Sequence, residues 1–415
     1  MKKQILLIVI ALLIAFVSQV NAQTFTNYTA ANSDLPSDYI CGGVAVDNNN
    51  NVWVGTDAGV AKFDGSSTWT IYTTTDGLPS DIISCVGVDA NNNVWIGTEG
   101  DGVAKFNGST WTKYTFADGL CDNGIYYIAG APNGDVWFAS SNAGVSKLSG
   151  TTWTTYTEAD GLPTDEGFIA AVKYITFNAG GYPWCGTYKG AAVFNGTSFT
   201  NYDPITYPLL TSSVTSIAVD ANDNRWIGVE EYGFLKMNSS NVWVAYYDTN
   251  AVGLDHEGVK DLKFDSNQNL WAGIQKKYGS LIVGGITKYN GTDWVSYDTT
   301  DGLVSPEVYR IDIDNNDNIW IATGGGLSKF ADNVGIEENA SDASLKIYPN
   351  PVNDYLNIDG IYSGTAEISD LTGRMVLSQT ISSPVKINTE KLVDGIYFIK
   401  LSADNKIYNG KFIKK

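Results

Sequence analysis

A stretch of about 42 residues recurs seven times, and no other feature narrows the fold so far. Trp53, Trp95, Trp137, Trp184, Trp226, Trp271 and Trp320 mark the same place in each copy. Every copy reads alike. An apolar run such as "ISCVGVD" enters an Asn-rich turn; "NVWIGT" follows, then a Gly loop, "VAKFNG", "TWTKY" and a long loop around "DGLPSD". The turns "DNNNN", "DANNN", "DANDN" and "DNNDN" put Asp and Asn where a hairpin needs left-handed residues and side-chain acceptors. Each copy is therefore four antiparallel strands, one blade of a β-propeller. Both faces of a blade are covered by its neighbours, so "VWIGT" is apolar at nearly every position instead of alternating. Burying one such Trp is worth roughly 4–6 kcal/mol at most, which makes it structural glue before it is a ligand platform.

One outer strand is out of place. An aromatic-x-x-Tyr outer strand occurs at Trp69–Tyr72, Trp111–Tyr114, Trp153–Tyr156, Phe199–Tyr202, Trp243–Tyr246 and Trp294–Tyr297, six times for seven blades. The seventh, "FTNY" at Phe25–Tyr28, stands at the front of the repeats, and "DLPSD" follows it as elsewhere. The N-terminal strand is expected to complete the last blade, tying the ring shut and leaving no free edge. The predicted fold class is all-β: a seven-bladed propeller over 23–331 with this split-blade closure, then a small Ig-like sandwich.

The pattern "DGLPSD…VD…NNVWIGT…GVAKF" resembles the two-component regulator propeller repeats over nearly all of 24–331. In that family such propellers often form the extracytoplasmic sensor of membrane histidine kinases and are associated with glycan sensing. This chain shows no kinase and no DNA-binding module, so the resemblance implies a free-standing binding propeller.

The flanking segments speak to export. "MKKQILLIVIALLIAFVSQVNA" has two lysines, a short apolar run and a small-residue cleavage site, so 1–22 is read as a signal peptide without a transmembrane anchor. The polar, acidic stretch 332–344 reads as a linker. Beyond it, 345–415 holds seven short alternating segments with turn signals, which fits the sandwich. "YPNPVNDYLNI", "DLTGRMV", "DGIYFIKL" and the basic "GKFIKK" resemble, in order, the type A C-terminal sorting domain of the type IX secretion system. The resemblance carries Pro349, Asn350, Pro351, Gly373, Arg374, Gly395 and Tyr397 as the sorting-signal motif. It implies the type IX secretion machinery as partner, passage through the periplasm, and a protein secreted or held on the outer-membrane surface.

Chemistry is thinner. A net charge of −19 argues against nucleic acid and anionic lipid as partners. His256 is the single histidine; it excludes a multi-His metal centre, and as a general base it would act alone at the ring's mouth. No phosphate loop, Cys-Cys metal pair or nucleophile elbow is present, and the turn chemistry accounts for the Asp/Asn oxygens without calcium. No cofactor, metal or catalytic residue is assigned. Cys41, Cys85, Cys121 and Cys185 occupy different places in the repeat and read as buried small hydrophobes.

The rim with the "DGLPSD" and Gly loops departs from the repeat, while the Asn-turn rim is uniform. The departures are "DEGFIAAVKY" at 165–174, "YKG" at 188–190, "EEYG" at 230–233, "DHEG" at 255–258 and "QKKYGSL" at 275–281. Tyr188, Lys189, Glu230, Glu231, Tyr232, His256, Lys276 and Tyr278 are the candidate ligand-binding residues, since aromatic faces beside charged groups suit sugars or a peptide. The leading expectation is a binding module for a glycan or protein ligand without catalysis. The alternatives are a polysaccharide lyase or glycoside hydrolase, or a structural or adhesion protein.

Overall fold

A computed structural model of the chain describes residues 24–165, 168–169, 171–202, 213–230, 233–247, 258–278, 281–331, 346–359, 363–370, 374–382, 385–403 and 406–415. The chain divides into two compact units between Val334 and Gly335. The first contains seven four-stranded antiparallel sheets and is a seven-bladed β-propeller. In blade 2 the strands run outward as Ile83–Val88, Val94–Thr98, Val103–Phe106 and Trp111–Tyr114. Blades 1 and 3 to 6 repeat this order. Their innermost strands are Gly43–Val46, Ile125–Gly130, Val172–Phe177, Val214–Val219 and Val259–Phe264.

Blade 7 is the split one. Its inner strands Val308–Ile313, Asn318–Thr323 and Gly326–Ala331 are completed by Thr24–Tyr28, which pairs with the last of them from Thr24↔Ala331 to Tyr28↔Leu327. The Tyr28 ring sits 5.0 Å from Phe63 of blade 1 and 5.9 Å from Trp320 of blade 7, so one side chain joins the two ends of the ring.

Each repeated residue has a structural job. In five blades the turn after the innermost strand begins with Asp, whose Oδ1 accepts backbone N–H groups of the turn, and in blades 1, 2, 6 and 7 its Oδ2 accepts from the buried Trp. In blade 2, Asp89 Oδ1 takes Asn91 N–H and Asn93 N–H at 2.9 Å, and Oδ2 takes Trp95 Nε1–H at 2.9 Å. The same Trp-to-Asp bond joins Trp53 to Asp47, Trp271 to Asp265 and Trp320 to Asp314. The motif's Lys lies over the Trp ring, as Lys62 over Trp53 at 5.5 Å and Lys105 over Trp95 at 5.4 Å. Such a contact adds about 0.5–1 kcal/mol.

Every turn also needs one left-handed residue. Asn50, Asn92, Asp223, Gln268 and Asp317 fill it at φ near 60°, and Gly134 and Gly181 fill it in blades 3 and 4. The side chains among these reach back to the previous blade. Asn92 accepts from Asn48 N–H at 2.7 Å, and Asn50 accepts from Asn315 N–H at 3.1 Å across the closure. A partial belt of blade-to-blade hydrogen bonds follows from turn chemistry alone.

Blade 4 departs from this scheme. Asn178 stands where five blades have Asp and blade 3 has Ala131, Val193 stands where all the others have Lys, and the buried Arg225 of blade 5 lays its guanidinium 4.9 Å over Trp184. Arg225 is held by Asp223 and by the Asn241 side chain, and burial lowers its pKa from the ordinary arginine value.

The four cysteines are unpaired thiols; Cys85 and Cys185 are buried, and burial pushes the Cys85 thiol up to about 12.

The second unit is a sandwich of a three-stranded and a four-stranded antiparallel sheet around Leu356, Ile368, Ile387, Ile399 and Phe412. Asn350, between Pro349 and Pro351, accepts from Ile413 N–H at 2.9 Å and donates to the Lys411 carbonyl at 3.2 Å, which staples its segment to the C-terminal strand. Gly395 opens the strand Gly395–Ala403; Tyr397, in that strand, stacks on Phe412 and donates to the Val393 carbonyl. Arg374 is exposed and pairs with Asp370 at 3.0 Å. Gly373 lies outside the described residues.

Candidate functional site

The innermost strands of blades 2 to 7 share an irregularity. Each loses register after its first residue, between Ile83 and Cys85 in blade 2 and at the matching place in the other five. A bulge of this kind re-aims a side chain and is favoured at rims and sites. The re-aimed residues are Ser84, Tyr126, Lys173, Thr215, Lys260 and Tyr309. With Cys41 from blade 1 they line a cavity of about 360 Å³ at the channel mouth on the variable rim. One register position in blades 2 to 7 thus builds a ring of six residues around the axis, and blade 1, whose residue at that position is Gly42, contributes Cys41 one place earlier.

The ring is uneven. Ser84 and Thr215 spend their hydroxyls on the next blade, on the Ile125 and Val259 carbonyls. Blades 3, 4, 6 and 7 present long side chains instead. Lys173 Nζ is 3.1 Å from Glu230 Oε2 and Lys260 Nζ is 4.0 Å from Glu230 Oε1, so one carboxylate clamps two lysines. Lys173 Nζ also sits 3.8 Å from the centre of the Tyr188 ring. Tyr188 and Tyr126 remain 46% and 40% exposed, leaving aromatic surface free at the opening. Burial lowers the Lys260 pKa, and the cations Lys173 and Arg310 lower it further against the pull of Glu230. Burial, with hydrogen bonds to Glu307 and Tyr39, raises that of Tyr309.

Of the eight rim residues predicted from sequence, the structure brings Tyr188 and Glu230 into this mouth. Lys189 neighbours Tyr188 in the same turn, its N–H on Thr187 Oγ1. Glu231, Tyr232 and His256 lie outside the described residues. Lys276 and Tyr278 fall on a strand, not in a loop: Leu270–Tyr278 and Leu281–Tyr289 are paired along their whole length, so "QKKYGSL" is the end of a long hairpin. "DEGFIAAVKY" is likewise not all loop, since Lys173 and Tyr174 stand on the innermost strand of blade 4.

Sequence reasoning missed Tyr126, Lys173, Lys260, Tyr309 and Arg310. The signal was there once the seven copies are laid over one another. Flanking positions of the inner strand are apolar in every copy, as with Ile83 and Val86 or Val259 and Leu262, while the two between them differ from blade to blade.

Among the described residues no group of His, Cys, Asp or Glu is arranged to hold a metal ion. The mouth gathers three cations (Lys173, Lys260, Arg310), a carboxylate, and the tyrosines 126, 188 and 309 around a concave opening.

Residues 346–415 match the secretion system C-terminal sorting domain, and residues 77–100 match the two component regulator propeller. No protein of curated function matches the chain by sequence. Similar solved structures include PorZ, a surface component of the type-IX secretion system of Porphyromonas gingivalis, at 16% identity and TM-score 0.57, over 91% of this chain and 60% of that one. The extracellular domain of BT4673 from B. thetaiotaomicron is 18% identical with TM-score 0.59, over 93% and 52%. Virginiamycin B lyase from Staphylococcus aureus is 16% identical with TM-score 0.59, over 74% and 99%. The chain therefore spans little more than half the length of the first two. At these identities the likenesses carry the propeller fold. Among the described residues no helix is long and apolar enough to cross a membrane. The sorting-domain match implies export to the cell surface or secretion, which makes this a type IX-sorted surface β-propeller.

Proposed function

We propose that the propeller binds a glycan at the variable-rim mouth of its channel and performs no chemistry on it. The observation that carries this reading is the convergence of one re-aimed residue from each of blades 2 to 7 on a cavity of about 360 Å³ with exposed Tyr rings at its lip. A protein partner of ordinary affinity needs about 800 Å² of surface on each side, whereas a concave pocket of a few hundred Å³ suits a small polar ligand. Tyrosine faces stack on sugar rings, and the Lys173–Glu230–Lys260 cluster supplies both donors and acceptors for hydroxyls. In the same reading residues 1–22 are the export leader, 23–331 the binding domain, 332–344 a linker and 345–415 the sorting domain.

The test is a thermal-shift screen of the purified chain against a glycan panel, with the same wells then assayed for new sugar products. A ligand at 100 times its Kd stabilises by about 2.7 kcal/mol, well within reach of a melting curve. The expected result is a shift without products that Tyr188→Ala or Lys173→Met abolishes. Products lost on substitution of a carboxylate would replace this reading with an enzyme. No shift with any glycan would remove it.

A further inference from the structure

Below the mouth the channel widens again. This second cavity, of about 380 Å³, is walled by innermost strands and reaches the Asn-turn rim at Asn48, Asp89 and Ala90. Arg310 belongs to both cavities and stands between them. Its guanidinium lies 5.0 Å over Tyr127 and 5.5 Å over Tyr174 and makes two long hydrogen bonds of 3.5 Å, to the Lys260 and Lys173 carbonyls.

The wall of this inner chamber has two characters. Blades 1 and 2 contribute small residues, among them Ala45, Cys85 and Gly87, which leave the space open. Across it, blades 3, 4, 6 and 7 contribute two tyrosines, Asp261, Lys263, Arg310 and Asp312. The two carboxylates are turned toward backbone. Asp261 accepts from Leu262 N–H at 2.9 Å and from Ile311 N–H at 3.1 Å. Asp312 Oδ2 accepts from Val46 N–H at 2.7 Å. The cations are not used up in the same way. Lys263 Nζ is 3.6 Å from Asp312 Oδ1, beyond a good hydrogen bond, and Arg310 has five donors against two long contacts. The surrounding phenols and carboxylates hold the Lys263 ammonium protonated despite burial.

We infer that this inner chamber is a second binding site, distinct from the mouth, for a small molecule bearing a carboxylate or phosphate group. Donors are in surplus and acceptors are engaged, so an incoming oxyanion would take N–H groups from Lys263 and Arg310 in charge-assisted bonds. The volume admits a molecule in place of roughly ten waters and excludes a folded partner. Entry from the Asn-turn rim leaves the glycan mouth free, so the two sites can be filled together.

The probes are inorganic phosphate and malonate, titrated calorimetrically into the full chain at constant ionic strength made up with chloride. Expected is saturable 1:1 binding of at least one, weakened tenfold or more in Lys263→Met and unchanged in Lys113→Met, an exposed lysine on an outer strand. Phosphate alone or malonate alone would tell which oxyanion the chamber takes. Thr176→Trp fills the chamber without removing a charge, so it is expected to abolish binding even where Lys263→Met folds poorly. Heats no larger than those of chloride overturn the inference. So does binding of equal strength in wild type, Lys263→Met and Thr176→Trp.

Discussion

The Asn-turn rim and the channel wall are built from neighbouring residues of the same strands, yet they follow opposite rules. At the rim, blades 1, 2, 6 and 7 spend the same Asp on the same Trp, and every blade puts one left-handed residue at the same place in the turn. On the wall, four positions earlier in the chain, blades 2 to 7 offer Cys85, Tyr127, Tyr174, Ser216, Asp261 and Arg310 at one register. A residue repeated in a ring satisfies a need that every blade has, which is to bury its sheets and pay for its turns. A residue that differs at a position facing the axis meets no such common need. Its chemistry is free to serve a ligand, and there the cations and phenols of this otherwise acidic chain gather.

The largest break in the repeated part is its closure. Deleting residues 24–28 removes one strand's ladder with Gly326–Ala331 and the Phe25 and Tyr28 rings from the seam. Lost hydrogen bonds at about 1 kcal/mol each and two aromatic burials at about 2 kcal/mol each put the expected loss at roughly 5 kcal/mol or more. Denaturant unfolding checks it, and an unchanged midpoint would mean that the strand does not close the ring in solution.

Closure was legible in the sequence because it follows from counting: six outer strands, seven Trp strands, and a stray "FTNY". The sandwich was legible for a similar reason, since short alternating runs between turns leave few other folds. The mouth was not. Lys173 and Tyr174 sit at the end of the irregular text "DEGFIAAVKY" that follows "GLPT" and lengthens this copy of the repeat, so they read as loop, although the bulged strand carries them to the axis. Lys260 and Asp261 interrupt an otherwise apolar strand between Val259 and Leu262. A bulge is a hydrogen-bonding irregularity, not a composition, and it turns such interruptions into a ring. Glu230 and Tyr188 were found because they interrupt a loop of otherwise uniform text.

A middle-sized effect tests whether the rim's Asp matters through its second oxygen. Asp89→Asn keeps one oxygen for the N–H groups of Asn91 and Asn93 but puts an amide NH₂ where Oδ2 took Trp95 Nε1–H. Two donors then face each other in a buried place. The expected cost is about 2 kcal/mol, read as a lower unfolding midpoint with an unchanged slope. A cost near zero would show that the Trp bond contributes nothing net, and the repeated Asp would then be a turn residue only.

Blade 4 allows the reverse experiment, with the smallest effect and the opposite sign. There the natural residue is already Asn178, whose Oδ1 accepts from Tyr182 N–H at 2.9 Å. Trp184 is buried, and its Nε1–H has no acceptor among the described residues. Asn178→Asp would restore the arrangement of the regular blades: one oxygen for the turn, the other for the Trp. It would also place a carboxylate near the Arg225 guanidinium that covers the same ring. A satisfied buried donor is worth about 1 kcal/mol, so the variant is expected to be more stable than wild type by that amount, most clearly at neutral pH where the new carboxylate is ionised. If it is instead neutral or destabilising, Arg225 has already taken over the role of the missing Asp. Blade 4 would then be a second solution to the repeat's packing, independent of the Trp-to-Asp bond, and Arg225→Met should cost more than Asp89→Asn.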